Sequence, residues 1–309
     1  MRNNIKRFQV IGLNRYRDFE INFKEPYKIL VGENGLGKTT IMDVFYYVLT
    51  MNWIMLDRIQ FDFIELVIED HILDFSQSEL RLYVSHLNFS QEEILPDPES
   101  VEKFMQIKET LKRFIKSPIV YFPVFRNINQ VLNPTGFTIS DLIARRKSID
   151  NPVKAYIFEN LVFEMQEIED RMDRYANTKS LREFKILCNK YLQETKFDID
   201  ASDNSSVINI NNNEYVEIAS LSSGEKQILN FFARTYLADD EEIIVLIDEP
   251  EISLSINWQK TLLPDIICSN KCSLLFVITH SPFIFKNTLD KYAVPMNLYT
   301  NKIDANSTR

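Results

Sequence analysis

Apolar and polar side chains interleave over the first thirty residues. Ile5-Lys6-Arg7-Phe8-Gln9-Val10 and Phe19-Glu20-Ile21-Asn22-Phe23 read as half-buried strands, and Tyr27-Lys28-Ile29-Leu30-Val31 as a short buried one. Thr39 to Leu49 then switches to helical spacing with one apolar face. Gln60 to Phe75 reads as a hairpin turning near Glu69-Asp70, and the acidic, Pro-containing stretch Leu95 to Ser100 as a loop into a basic helix over about 101–116. Pro118 to Phe125 is another apolar strand, ending at Arg126. Residues 152–195 are helical in pattern, opened by Asn151-Pro152, with apolar positions at 157, 161, 165, 168 and 172 and a break at Asn177-Thr178. Phe197–Ile199 and Val207–Ile218 form a hairpin-like pair around Asn211-Asn212-Asn213, followed by an amphipathic helix from Gln227 to Leu237. Glu242 to Asp248 and Ser273 to Thr279 are unbroken apolar runs, as in strands covered on both faces. The pattern predicts an α/β fold over 1–309. It has a central, mostly parallel sheet, an N-terminal antiparallel lobe and a mainly helical insertion at about 100–195.

Between the third strand and the first helix lies Gly32-Glu33-Asn34-Gly35-Leu36-Gly37-Lys38-Thr39-Thr40, which matches G-x-x-x-x-G-K-[ST] at every fixed position. Only six glycines occur in the chain, so three in one loop mark a place where the backbone approaches something closely. In a strand–loop–helix setting, the loop amides and the helix N-terminus cradle phosphates. Lys38 is expected to reach the β/γ oxygens and the Thr39 hydroxyl to ligate Mg²⁺. A nucleoside triphosphate is the expected ligand, contacted by Glu33, Asn34, Gly35, Leu36, Gly37, Lys38, Thr39 and Thr40.

The run ending in Asp248-Glu249-Pro250 places two carboxylates at the end of a central strand. Asp248 is expected to hold Mg²⁺ and Glu249 to polarise the attacking water. His280, at the end of the next central strand, is expected to sense the γ-phosphate. Leu221-Ser222-Ser223-Gly224-Glu225 contains the capping-box pattern S-x-x-E, which on its own marks a well-capped helix. The same serine hydroxyl, glycine amide and helix N-terminus also make an anion site. One nucleotide does not need two cradles, so the second fits a nucleotide held by another subunit.

Composition narrows the classes. A net charge of −9 argues against a chain coated for nucleic acid. Lys108, Lys112, Arg113, Lys116 and Arg145-Arg146-Lys147 read first as solvated faces, though a local basic groove is left open. Cys188, Cys268 and Cys272 read as reduced core thiols without a metal partner. The chain opens directly into a strand and holds no apolar run long enough for a bilayer, so the cytoplasm is the expected compartment.

In their order and spacing, Gly32–Thr40, Leu221–Gln227, Ile243–Glu251 and Thr279-His280-Ser281-Pro282 resemble the ABC-type ATPases, P-loop proteins, and within them the RecF, SMC and OLD branch. About 185 residues separate Lys38 from Ser223, roughly twice the usual spacing in transporter subunits. The resemblance implies ATP and Mg²⁺ as cofactors and a dimer of heads. In it Ser222, Ser223, Gly224 and Glu225 of one subunit face the nucleotide held by Lys38 of the other. Three departures stand out. Ser223 replaces the first signature glycine, Ser255 stands where D-loops carry aspartate, and Gln77 and Gln130 are both weak matches to the Q-loop, with Arg126 as a substitute.

The chain also resembles single-head ATPase subunits of bacterial anti-phage systems such as Septu, PARIS and retron-associated modules. The 29 residues after His280 are too few for the nuclease domain of OLD proteins, and Asp198 and Asp200 read as surface acids. A separate effector protein, a nuclease or toxin, is therefore the expected partner, with ATP hydrolysis controlling it. The alternatives are a RecF-like DNA clamp and a nucleotide-gated scaffold with little hydrolysis.

Overall fold

The computed structural model describes residues 4–33, 35–88, 97–124, 167–199, 207–216, 218 and 221–302. They fall into two compact units, one built from 1–123, 242–251 and 272–309, the other from 124–241 and 252–271.

The first unit is two sheets with a helix between them. β1 (Ile5–Leu13), β2 (Arg17–Asn22), β4 (Phe63–Ile68), β5 (His71–Ser76) and β13 (Thr300–Lys302) make an antiparallel sheet in the order β13-β2-β1-β4-β5. β3 (Tyr27–Val31), β6 (Ile119–Phe122), β10 (Ile243–Asp248), β11 (Cys272–Thr279) and β12 (Ala293–Pro295) make a parallel sheet in the order β12-β3-β11-β10-β6. This is the predicted α/β architecture of a parallel sheet and a separate antiparallel lobe. β10 is buried at every position, which is why its sequence shows no alternation.

α1 (Lys38–Leu49) fills the space between the sheets. The Phe45 ring lies 4.9 Å from Phe8 of β1, 5.3 Å from Phe23 and 5.5 Å from Phe276 of β11, so one side chain touches both sheets. α2 (Trp53–Leu56), α3 (Gln77–Asn88) and α4 (Pro98–Phe114) complete the lobe. Asp97 caps α4, accepting from the Ser100 amide at 2.9 Å, so the helix starts slightly before the predicted 101. α4, which opens the expected insertion, packs within the first unit through Phe104, whose ring stacks on Tyr83 at 4.6 Å.

The hairpin turn at Glu69-Asp70 is as predicted, with Glu69 at φ 50° and Ile68 paired to His71. Gly12 is demanded by a bulge in β1. It sits at φ +71°, its amide donates to Asp18 Oδ1 at 2.8 Å, and a Cβ there would meet Asp62 Oδ2 at 2.0 Å.

The second unit contains α5 (167–174), α6 (Lys179–Asn189), α7 (Ser223–Tyr236) and α8 (Ile256–Ile267), with a small antiparallel sheet of β7 (Thr195–Phe197), β8 (Val207–Asn209) and β9 (Tyr215–Val216). The predicted helix break is present: Asn177 takes φ 60° and Thr178 caps α6. Asn213, also at positive φ, turns the chain between β8 and β9. The start of the helical stretch at 151–166, with Asn151-Pro152, lies outside the described residues. Cys188 is buried, but Cys268 is exposed at the end of α8 and Cys272 half-buried, which corrects the expectation of three core thiols. Among the described residues, no helix is long and apolar enough to cross a membrane.

If Phe45 holds α1 between the sheets, Phe45→Ala should cost about 3–5 kcal/mol in denaturant unfolding. Ile72→Ala, at a position 61% exposed, should change stability by less than about 0.5 kcal/mol.

Candidate functional site

Val31, the last residue of β3, pairs with Thr279 at the end of β11, and the Gly32 amide continues the ladder to the Thr279 carbonyl at 3.2 Å. The loop then turns through Gly35 at φ +82° and Gly37 at φ +78°, values that L side chains resist. α1 starts at Lys38 with no side-chain cap and no acid in its first turn, which leaves its first amides and the positive end of its dipole for an anion. The Lys38 side chain is only 4% exposed. Its ammonium donates to the Gly32 carbonyl at 2.8 Å and lies 3.4 Å from Glu249 Oε1. Glu33, Gly35 and Thr39 are exposed, Leu36, Gly37 and Thr40 half-buried, and Asn34 lies outside the described residues.

Asp248 ends β10 on the same side of the parallel sheet. Asp248 is 2% exposed, and neither carboxylate oxygen makes a hydrogen bond of good geometry, although the Thr39 hydroxyl is near enough to favour its charged form. Burial, with the neighbouring charges of Glu249 and Asp43, raises its carboxyl from 3.8 to about 7, against the opposing pull of the Thr39 hydroxyl and Lys38. An unpartnered buried carboxylate is costly unless a cation completes it. Mg²⁺ commonly takes one or two carboxylates and fills its remaining positions with phosphate and water. One hydroxyl and one carboxylate at the foot of a phosphate loop therefore fit that cation.

Glu249 takes φ 48°, unusual for a residue with a side chain, and its amide is tied to the Ile278 carbonyl at 2.8 Å. That conformation turns the chain so that Glu249 meets Lys38. Glu251, which the sequence reading passed over, fastens the end of β11. Its carboxylate accepts from Thr279 Oγ1 at 2.7 Å, the His280 amide at 2.9 Å and the Ser281 amide at 3.2 Å. His280 is half-exposed, with Nδ1 3.0 Å from Glu251 and 3.7 Å from Glu249. Lys38, Glu249 and His280, far apart in sequence, thus converge. The only sequence signal for Glu251 was a third acid directly after Asp248-Glu249-Pro250.

A second pair was also missed. The Tyr121 hydroxyl on β6 donates to Asp43 Oδ1 on α1 at 2.8 Å. Burial raises the Asp43 carboxyl to about 6, partly offset by this bond.

Gln77 is occupied structurally, accepting from the Phe61 amide at 3.3 Å and donating to the Ile59 carbonyl at 2.8 Å. Arg126, Gln130 and Asp200 lie outside the described residues.

The signature residues belong to the second unit, where the predicted capping box at the start of α7 is complete. Ser222 Oγ accepts from the Glu225 amide at 3.3 Å, and Glu225 Oε2 accepts from the Ser222 amide at 2.9 Å and hydroxyl at 2.7 Å. Ser222 and Ser223 are exposed and Gly224 is buried. A Cβ on Gly224 would sit 2.5 Å from the Ser253 carbonyl and 3.2 Å from the Trp258 ring, so a close backbone approach demands glycine here. Ser255 caps α8, accepting from the Trp258 amide at 3.4 Å.

The family described as "AAA domain, putative AbiEii toxin, Type IV TA system" matches residues 29–286. No curated protein matches the chain. Among solved structures, a Smc head bound to the C-winged helix domain of ScpA is 16% identical, covering 98% of each chain at a TM-score of 0.45. The SMC head domain from Thermotoga maritima is 13% identical, covering 93% of this chain and 92% of its own, at 0.41. A Smc head with an extended coiled coil, bound to the C-terminal domain of ScpA derived from Pyrococcus furiosus, is 16% identical, covering 92% and 91%, at 0.43.

Two outcomes follow from the geometry. Asp248 holds its proton more tightly in the fold than in the unfolded chain, so its contribution favours the fold most below about 3.8 and is lost as pH rises through about 7. Asp248→Asn should therefore raise the thermal midpoint at pH 8 in a chelator, and the gain should shrink steadily towards pH 4. Gly224→Ala, which intrinsic helix propensity alone would make stabilising by about 1 kcal/mol, should instead lower the midpoint, because the new methyl meets Ser253.

Proposed function

We propose, from the premise that this chain belongs to the AAA domain family matched over residues 29–286, that it binds ATP with Mg²⁺ and hydrolyses it as an ATP-gated dimer controlling a partner protein. The observation that carries the nucleotide chemistry is Asp248, buried and unpartnered beside Thr39 and Lys38 at the mouth of the glycine loop.

The loop amides and Lys38 Nζ would hold phosphate oxygens, with Glu33, Asn34, Gly35, Leu36, Gly37 and Thr40 framing them. Thr39 and Asp248 would hold Mg²⁺. The cation, when bound, neutralises charge that develops on the phosphates. Glu249 Oε1 would accept the proton of the attacking water, and its neighbour Lys38, 3.4 Å away, holds that carboxylate in place. Its left-handed backbone stores strain, on the order of 1–3 kcal/mol, of the kind that collects at working sites. Glu251 would keep His280 at the γ-phosphate position by holding its backbone amide and Nδ1.

The dimer rests on Ser222 and Ser223, exposed at the start of α7 with Gly224 and Glu225 behind them. In each subunit these residues would cover the nucleotide bound by the other. The family description carries the words "putative AbiEii toxin, Type IV TA system"; a separate effector, a nuclease or toxin on another chain, rests on the motif resemblance to single-head ATPase subunits. Defence against phage as the setting rests on the same motif resemblance.

Glu249→Gln should keep ATP affinity within about threefold, lower turnover at least 100-fold and trap an ATP-bound dimer visible by light scattering. Negligible wild-type turnover, unchanged by the substitution, would leave only a nucleotide-gated scaffold. Ser222→Arg should bind ATP as a monomer. A dimer unaffected by that change would remove the signature from the interface. Salt-sensitive, ATP-dependent duplex binding would favour a DNA clamp over effector control.

A further inference from the structure

We propose that Asp43, oriented by Tyr121, is a positioning residue of the Mg²⁺ site, an outer acidic partner for the water shell of the cation held by Thr39 and Asp248. The inference rests on the nucleotide reading above and adds two residues to it.

The placement comes from two periodicities. Thr39 and Asp43 are four apart on α1 and so share a face, one turn apart. Leu246 and Asp248 are two apart on β10 and share a face of the sheet, and Tyr121 of β6 stands opposite Leu246 in the parallel register. The bond from the Tyr121 hydroxyl to Asp43 Oδ1, 2.8 Å, shows that this sheet face looks onto this helix face. Thr39, Asp43, Tyr121 and Asp248 therefore line one seam between α1 and the parallel sheet.

The second observation is Asp248 itself. Two carboxylate oxygens, 98% buried as a residue and without partners, adjoin another carboxylate whose charge they feel. Two acids along one seam repel unless positive charge lies between them. Tyr121 occupies one oxygen of Asp43 from the sheet side. The other would be left to accept from a water of the bound cation, as outer partners of metal sites commonly do. A purely structural role, a staple between α1 and β6, would affect stability alone and leave cation affinity untouched.

The test uses the full chain with a non-hydrolysable ATP analogue and Mn²⁺ as the probe, its affinity read by electron paramagnetic resonance. Nucleotide affinity in EDTA is measured beside it. Asp43→Asn is expected to weaken Mn²⁺ binding about tenfold and leave nucleotide affinity in EDTA within about twofold. Tyr121→Phe, which removes one hydroxyl, is expected to weaken Mn²⁺ about threefold, and it carries the test alone if Asp43→Asn does not fold. Unchanged Mn²⁺ affinity in the folded variants overturns the inference and leaves the nucleotide site standing. A wild-type chain that binds no nucleotide overturns both.

Discussion

The burial of α1 between two sheets is the constraint on which the rest depends. A phosphate loop works only if its helix starts at a fixed place relative to the strand that feeds it and to the acids on the neighbouring strand. Phe45, in ring contact with Phe8, Phe23 and Phe276, fixes that place by touching both sheets. With α1 anchored, Lys38 meets the Gly32 carbonyl and Glu249, and Thr39 stands near Asp248. The antiparallel lobe is in this sense a part of the site, because it forms the second wall of the slot that holds the helix.

Around that slot the molecule accumulates costs that a stability-driven sequence would avoid. Asp248 is buried without a partner, Asp43 lies close enough to disturb it, and Glu249 sits at positive φ. Each cost is local, and all three lie at the carboxyl end of β10 or on the α1 face beside it. By contrast, Glu251 is fully satisfied by Thr279, His280 and Ser281. The arrangement sets one acid that fastens the scaffold, Glu251, beside two that carry a cost of burial or backbone strain, all within four residues.

What the sequence could reveal followed the range of the interaction. The glycine loop, the apolar run into Asp248-Glu249 and the Ser222–Glu225 capping box are local patterns, and the structure reproduces each. The parallel sheet and antiparallel lobe were legible for the same reason, since alternation and unbroken apolar runs report how many faces of a strand are covered. Asp43 with Tyr121 was not legible, because the bond spans 78 positions and neither residue sits in a motif. Glu251 was hidden by its neighbours, whose motif accounted for the acidity. Gly224 had a phosphate-handling reading from sequence, and the structure adds a packing reason that only the approach of Ser253 reveals. Cys268 was misplaced because helical periodicity fades at the last turn, where the chain leaves the core.

Everything proposed for this chain requires that the glycine loop and Asp248 form one cation-assisted nucleotide site. Equilibrium titration of the wild-type chain with a fluorescent ATP analogue, with Mg²⁺ and again in EDTA, tests it most directly. Saturable binding of one nucleotide per chain, tightened at least tenfold by Mg²⁺, is the expected result. Binding that is absent, or that is indifferent to Mg²⁺, would contradict it.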